Sequence, residues 1–254
     1  MSARSAVYVY CLVERATRPA LRRVAAGLAG ASALESIEIA AGLWAVTSLV
    51  PRRIYDTEPL ADRLKDINWV ADAGVAHEAV VERVVRLSGA TVVPMKLFTL
   101  FTSPERARAD LQARVQDIRA VVDRIRGCQE WGIRIAPPVP RPVASGRRPT
   151  SGTAFLTAKK RTRDQAQAHV RAAVTAAEST YASLARLSRE AERREAPREA
   201  ATPPLLDATF LVKATGAAKF RAAVRRAAVA CRAAGATLQL TGPWPAYSFV
   251  QPRS

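Results

Sequence analysis

The chain has 254 residues, of which 49% belong to the hydrophobic set and 24% are charged. These fractions are typical of a folded globular protein rather than of a disordered or membrane protein. The length suits one large or two modest domains, and we favour two. No run approaches the roughly 18 uninterrupted apolar residues that a membrane-spanning helix needs. With no signal peptide before the first predicted strand, we expect a cytoplasmic protein.

The abnormal figure is the net charge of +17, with a pI near 11.0. Such an excess favours anionic partners, for example nucleic acid, phospholipid or an acidic protein surface. The basic residues are mixed with acidic ones along the chain, which weakens the nucleic-acid hypothesis. The three cysteines, Cys11, Cys128 and Cys231, are far apart and form no CxxC pair. They indicate buried thiols, neither a disulfide framework nor a zinc site.

The first half of the chain predicts the element order βαββαβ. A strand at residues 6–14 is followed by a helix after Pro19, and the runs 34–39 and 43–50 form a hairpin. Helical spacing then extends from Pro59 to Leu87, with a bend expected at 68–74, and a strand edged at Pro94 covers 91–100. This order predicts a ferredoxin-like α+β domain, an antiparallel sheet with helices on one face.

A helix is predicted after this domain. Ser103 provides an N-cap and Pro104 the first helical position, and the helix ends at Gly127. Its apolar residues alternate by four and three, which indicates a heptad-like seam formed by Leu111, Val115, Ile118, Val122 and Ile125. We therefore place the first domain at residues 1–127, with this helix trailing it.

The second half predicts another α+β domain, at residues 128–254. Its predicted elements are a strand at 128–136, a proline-rich loop at 137–152, a long helix within 153–195, an exposed connection at 190–202, a strand at 205–213, a helix at 219–234 and a strand at 236–241. The long helix carries a second seam at Val170, Val174, Ala177, Tyr181 and Leu184. We expect that seam to pack on the first seam or on another surface of the chain.

The aromatic run, residues 240–250, combines a glycine and two prolines with three aromatic residues, Trp244, Tyr247 and Phe249. Disordered ends are normally polar and poor in aromatic residues, so the run is predicted to dock onto its own domain. Burial of Trp244 would make its replacement by alanine cost roughly 3–5 kcal/mol.

The sequence shows no recognisable catalytic motif. The GxGxxG and GxxxxGK[ST] fingerprints, HExxH and GxSxG do not occur. His77 beside Glu78 on a helix is the only acid and base candidate, and this pair is more often a packing or hydrogen-bonding pair. The basic residues Lys159, Lys160 and Arg161 are more typical of a solvated helix face than of a phosphate site. We expect no enzyme, no metal and no cofactor.

Several short motifs, in order along the chain, carry a family resemblance. They are VYVY at 7–10, Trp69, AHE at 76–78, VVE at 80–82, VPMK at 93–96 with Thr99 and Phe101, EWG at 130–132, FL at 155–156 and GPWPAYSF at 242–249. In these residues the chain resembles the gas vesicle protein F/L family, and the last motif is the most specific.

The resemblance implies a two-domain α+β fold and a non-enzymatic role in assembling gas vesicles, the hollow protein-walled compartments that give buoyancy. That role is chaperone-like or nucleation-like, or that of a minor vesicle component. The resemblance also implies the small hydrophobic wall protein and other vesicle accessory proteins as partners. We expect no small-molecule substrate and no membrane, and nucleic acid is the less favoured partner. A basic nucleic-acid-binding module is the alternative. The motif residues implied as structural or partner-binding are His77, Glu78, Pro94, Lys96, Thr99, Phe101, Glu130, Trp131, Gly132, Gly242, Pro243, Trp244, Pro245, Tyr247 and Phe249.

One position departs from the family pattern. Where the family commonly has glycine before the threonine, this chain has Phe98 before Thr99. Either the backbone there needs no glycine, or the chain presents a different surface.

Overall fold

A computed structural model describes residues 4–21, 27–138, 152–195 and 202–250. Contacts divide the chain into two units: the first holds the residues up to Gly127 together with those from Trp244 onward, and the second runs from Cys128 to Pro243. The break at Gly127 lies where the sequence analysis divides the chain. The aromatic run differs from expectation, because from Trp244 it belongs to the first unit rather than to the second.

The first unit contains a fully antiparallel sheet. Its strands are β1 (Ser5–Glu14), β2 (Glu35–Ala40), β3 (Leu43–Pro51), β4 (Thr91–Pro94) and β5 (Leu100–Phe101). The order is β2-β3-β1-β4, with β5 pairing with β1 beyond the end of β4. This order and these directions are those of the predicted ferredoxin-like sheet. Of the helix predicted between β1 and β2, residues 22–26 lie outside the described part of the chain, and residues 20–21 and 27–30 are not helical.

Five helices follow β3 in the described part of this unit: α1 (Arg52–Tyr55), α2 (Thr57–Arg63), α3 (Ile67–Ser88), α4 (Pro104–Ala113) and α5 (Val115–Ile125). Asp66 caps α3, since its carboxylate accepts from the backbone N–H groups of Asn68 and Trp69. The bend therefore precedes α3, and the bend predicted at 68–74 is wrong. Ser103 caps α4 as predicted, but Arg114 divides the predicted helix into α4 and α5.

Helices cover both faces of the first sheet. On one side α3 packs against β1, with Val80, Val81 and Val84 in one core with Tyr8 and Tyr10. Helix α4 packs on β2 and β5, and α5 on β4. Since β1 is buried at every position from 6 to 13, both of its faces are covered, and the prediction of helices on one face is wrong.

The second unit has a four-stranded sheet in the order β7-β8-β6-β9. Its elements are β6 (Cys128–Ala136), α6 (Gly152–Ala185), β7 (Glu190–Arg193), β8 (Leu206–Lys213), α7 (Ala217–Ala233) and β9 (Thr237–Trp244). Helices α6 and α7 pack on each other and on β8, around a core that includes Trp131, Leu184, Phe210 and Phe220. No helix in the described residues combines the length and hydrophobicity required to cross a bilayer.

Two expectations for the second unit are wrong. Residues 190–193 form β7, paired with β8, where an exposed connection was predicted. The buried face of α6 consists of Ala173, Ala177, Thr180 and Leu184, whereas Val170 and Val174 of the predicted seam are exposed.

Candidate functional site

The motif residues lie in two groups, one in each unit. Those of the first unit are His77, Glu78, Pro94, Lys96, Thr99, Phe101, Trp244, Pro245, Tyr247 and Phe249, and those of the second are Glu130, Trp131, Gly132, Gly242 and Pro243. Of the first group, the structure brings His77, Glu78 and Tyr247 together.

His77 is the centre of the first group. It is buried rather than on the helix surface, and its Nδ1 lies 2.7 Å from the Tyr8 hydroxyl. That hydroxyl also accepts from the Phe98 backbone N–H at 3.2 Å, which leaves the tyrosine proton for His77. Burial lowers the pKa of His77 to about 4, although the nearby Met95 backbone acts to raise it. The ring is therefore neutral at neutral pH and accepts from Tyr8.

Aromatic rings surround His77. The Tyr8 and Tyr10 centroids are 4.7 Å apart, and each lies 5.7 Å from the imidazole. The Tyr10 hydroxyl bonds Ser48 at 3.0 Å and accepts from the Leu28 N–H at 3.1 Å. Because these phenols are buried, their pKa values are raised and they stay protonated.

The aromatic run closes over this cluster. The Tyr247 ring lies 6.4 Å from that of His77, Phe249 is fully buried, and Arg124 of α5 donates to the Phe249 carbonyl oxygen. Burial raises the pKa of Tyr247, and the neighbouring Glu78 raises it further, since a carboxylate opposes formation of a phenolate. The run is packed, as predicted, but the prediction that it docks onto its own domain, residues 128–254, is wrong, because it packs in the first unit.

Trp244 does not take part in that packing. Its side chain is 41% exposed, so its predicted burial is wrong, and with it the predicted loss of 3–5 kcal/mol. The neighbouring Pro243 is also exposed, whereas Pro245 is half-buried. The anchors of the run are therefore Tyr247 and Phe249.

The loop between β4 and β5 is fastened to β1. Thr99 donates from its hydroxyl and its N–H to the Lys96 carbonyl, at 2.7 and 3.2 Å, and accepts from the Val9 N–H at 3.0 Å. Pro94 pairs with Cys11 in the sheet, and Phe101 pairs with Val7. These motif residues thus hold the loop that carries Phe98.

Phe98 occupies a backbone conformation that favours glycine. Its φ is 62°, in the left-handed region, which costs an ordinary residue roughly 1–2 kcal/mol. Its ring stacks on Trp69 with centroids 5.4 Å apart and planes 4° apart, and Arg63 lies 5.5 Å from the centre of the Trp69 ring. The glycine that the resemblance implies at this position would be unstrained, whereas Phe98 is strained. The stacking of Phe98 on Trp69 offsets part of that strain.

The motif group of the second unit has a packing explanation. Glu130 is buried and faces Arg194, with 3.4 Å between Oε1 and Nη2, while the Trp131 ring lies 6.0 Å from Phe220. A Cβ on Gly132 would lie 2.4 Å from the Thr241 hydroxyl oxygen, so glycine lets β9 lie beside β6.

These arrangements favour packing over chemistry. His77 bonds Tyr8, Glu78 lies by Tyr247, and burial raises the pKa of the Cys11 thiol, which opposes its ionisation. Within residues 4–21, 27–138, 152–195 and 202–250, no three His, Cys, Asp or Glu side chains gather in a way that could hold a metal ion.

Comparison with known proteins decides the family. Residues 6–251 match the family model described as gas vesicle synthesis protein GvpL/GvpF. The chain belongs to the GvpL/GvpF family. It is 29% identical over 219 residues to gas vesicle protein L of Streptomyces sp. (strain CB03234), covering 82% of this chain and 79% of that protein.

Two crystal structures of GvpF share the fold of this GvpL/GvpF chain. That of Anabaena sp. PCC7120 has a TM-score of 0.67 at 15% identity and covers 98% of both chains. That of Microcystis aeruginosa has a TM-score of 0.65 at 13% identity, with 97% of this chain and 99% of the other covered. The predicted α+β class and the resemblance to the gas vesicle F/L family are confirmed.

Sequence reasoning missed several residues of the site in this GvpL/GvpF protein. The hydrogen bond from Tyr8 to His77 joins residues 69 positions apart. The stack of Phe98 on Trp69 joins the loop between β4 and β5 to the first turn of α3. Arg124 is one of two arginines on the amphipathic helix α5, and nothing local distinguishes it from Arg119. Only the run of tyrosines in β1 offered a signal, because buried tyrosines usually need a hydrogen-bond partner.

Proposed function

We propose that the protein is a non-enzymatic assembly factor of gas vesicles that binds the small hydrophobic wall protein before it joins the shell. The observation that carries the proposal is the family match over residues 6–251. An apolar wall protein tends to associate with itself through strand edges and exposed apolar surface. A cytoplasmic binder that covers this surface would prevent misassembly, beside the other accessory proteins of the vesicle.

The surface that best fits an apolar partner is the α3 strip, which we define as Ile67, Ala71, Val75 and Ala79. These residues are four apart and so share one face of α3, and all four are exposed, Ile67 at 75% and Val75 at 71%. The opposite face holds Val80 and Val84 in the core. Exposed apolar residues in a row on one helix favour contact with an apolar partner.

Co-purification of the wall protein with tagged variants tests this proposal. Val75→Glu places a charge in the α3 strip and should reduce the wall protein recovered by about tenfold, because a buried unpaired charge is strongly unfavourable. Val229→Glu is the matched control, since Val229 is a valine on a helix of the second unit and is 66% exposed.

Equal recovery with both variants would remove the α3 strip as the binding surface. Failure of the unmodified protein to recover any wall protein, across mild salt conditions, would contradict the proposed function itself.

The alternative of a nucleic-acid-binding module rests on the net charge of +17. Lys159, Lys160 and Arg161 are exposed, but as consecutive helical residues they point in different directions. Phosphate contacts would make affinity fall steeply with salt. Absence of shifted DNA or RNA at low salt would dismiss this alternative.

A further inference from the structure

The two halves of α6 have opposite environments. From 173 onward, one face of the helix is buried against α7 and β8. From 159 to 172, all fourteen consecutive residues are exposed, on every side of the helix. At 1.5 Å per residue this projecting half is about 21 Å long.

The buried stripe of α6 continues into the projecting half. Its residues Ala173, Ala177, Thr180 and Leu184 are spaced by four, three and four. The same alternation, followed backwards, reaches Leu156, Lys159, Arg163, Ala166 and Val170, all of them exposed. A stripe with this spacing is the contact face of helices that pack side by side.

The projecting half lacks the packing that stabilises helices in proteins. An isolated helix of this length is marginal in water, and a helix gains most of its stability from tertiary contacts on an amphipathic face. A second helix laid on the exposed stripe would supply those contacts.

The charge of the projecting half selects the partner. Between 159 and 172 there are five basic residues and one acidic residue. Two of the basic residues, Lys159 and Arg163, lie in the stripe itself, beside the aliphatic Leu156 and Val170. A second copy of this chain would place like charges in contact, which is unfavourable. A nucleic acid would leave the aliphatic positions uncovered.

We propose that the projecting half of α6, together with Leu156 just before it, binds an acidic amphipathic helix of another protein. Aliphatic residues of that helix lie on Leu156 and Val170, and its carboxylates pair with Lys159 and Arg163. This interaction is independent of wall-protein binding and uses a surface of the second unit.

The experiment uses the full-length protein and a synthetic probe. The probe is a fluorescent heptad peptide with leucine at the stripe positions and glutamate at those that face Lys159 and Arg163, and binding is measured by anisotropy. A scrambled peptide of the same composition, a short DNA duplex of the same length and a lysine version of the heptad peptide serve as comparisons.

Two double variants distinguish the effect of the stripe residues from the effect of net charge. Lys159→Glu with Arg163→Glu reverses the stripe, and affinity for the acidic heptad peptide should fall about tenfold or more because like charges then meet. Arg161→Glu with Arg171→Glu makes the same change in net charge off the stripe, and affinity should change by less than about threefold. The stripe variant should instead gain affinity for the lysine peptide.

Equal losses in both variants, binding of the scrambled peptide as tight as that of the heptad peptide, or no binding of the heptad peptide would each overturn the proposal. Binding of DNA alone would assign the projecting half to nucleic acid. Self-association of the full-length protein that is lost only in the stripe variant would assign it to a second copy.

Discussion

The aromatic run and the projecting half of α6 differ in both regularity and burial. From Trp244 the run has little regular structure beyond one short turn of helix, yet Tyr247 and Phe249 pack against the first unit. The projecting half of α6 is regular helix, yet it is exposed on every side. A segment can therefore be regular without being buried, and buried without being regular.

Of the substitutions that test this contrast, Phe249→Ala should have the largest effect on stability. Phe249 is fully buried, so its loss should lower the free energy of unfolding by about 3–5 kcal/mol. Trp244→Ala, in the same run but exposed, should cost less than about 1 kcal/mol. Urea unfolding followed by far-UV circular dichroism measures both, and equal losses would contradict the division of the run into anchored and exposed parts.

Lowering the pH should destabilise the protein through His77, in the cluster beneath the aromatic run. His77 has a pKa of about 4 in the folded protein, below its unfolded value near 6.5, so the unfolded chain binds the proton more tightly. Stability is full above the unfolded pKa and falls as the pH drops from about 6.5 to 4, by about 3 kcal/mol in total. The raised pKa values of Tyr8, Tyr10 and Tyr247 keep these phenols neutral throughout.

The control for this pH dependence is His77→Gln, which keeps an acceptor for Tyr8 without a titrating ring. Unfolding free energies measured from pH 7 to pH 4 should fall less steeply for this variant than for the unmodified protein. Parallel profiles would show that His77 does not carry the effect.

Phe98 allows a test in which the smaller residue is the better one. Alanine at this position loses the stack on Trp69 and keeps the left-handed φ of 62°, whereas glycine loses the stack and relieves the strain. Phe98→Gly should therefore be more stable than Phe98→Ala by about 1–2 kcal/mol. The opposite order in urea unfolding would show that the backbone relaxes out of this conformation.

The smallest effect is expected in the projecting half of α6. Ala168→Gly weakens the helix locally by about 1 kcal/mol, but the projecting half can open without unfolding the second unit, so global stability should change by less than about 0.5 kcal/mol. Hydrogen exchange of residues 159–172 should accelerate. Ala177→Gly, in the buried half of the same helix, should lower global stability by at least about 1 kcal/mol.

Elements with strong local patterns could be predicted from the sequence. The strand at 128–136 and the helix stops at Gly127 and Gly235 agree with the structure because alternating apolar residues and positive-φ glycines are local signals. Strand β7 was missed because its residues, Glu-Ala-Glu-Arg, have no strand propensity and are held by pairing with β8.

Burial was harder to predict than secondary structure. Trp244 carries the same apolar area as a core tryptophan, and nothing local to the chain says that Phe249 is buried instead. The buried face of α6 was predicted incorrectly for the same reason. Val170 and Val174 are more apolar than Ala173 and Thr180, yet the smaller residues are the buried ones. Which face packs depends on the partner surface, and local sequence does not describe that surface.

Because residues 244–250 belong to the first unit, that unit can be completed only after the second unit has been synthesised. A ribosome makes β1 and α3 early but reaches Tyr247 only after the whole second unit, residues 128–243. At roughly 5–20 residues per second this interval is on the order of ten seconds. During that time the His77 cluster of the nascent chain lacks Tyr247. Closure of the cluster therefore marks a molecule whose second unit has already been translated.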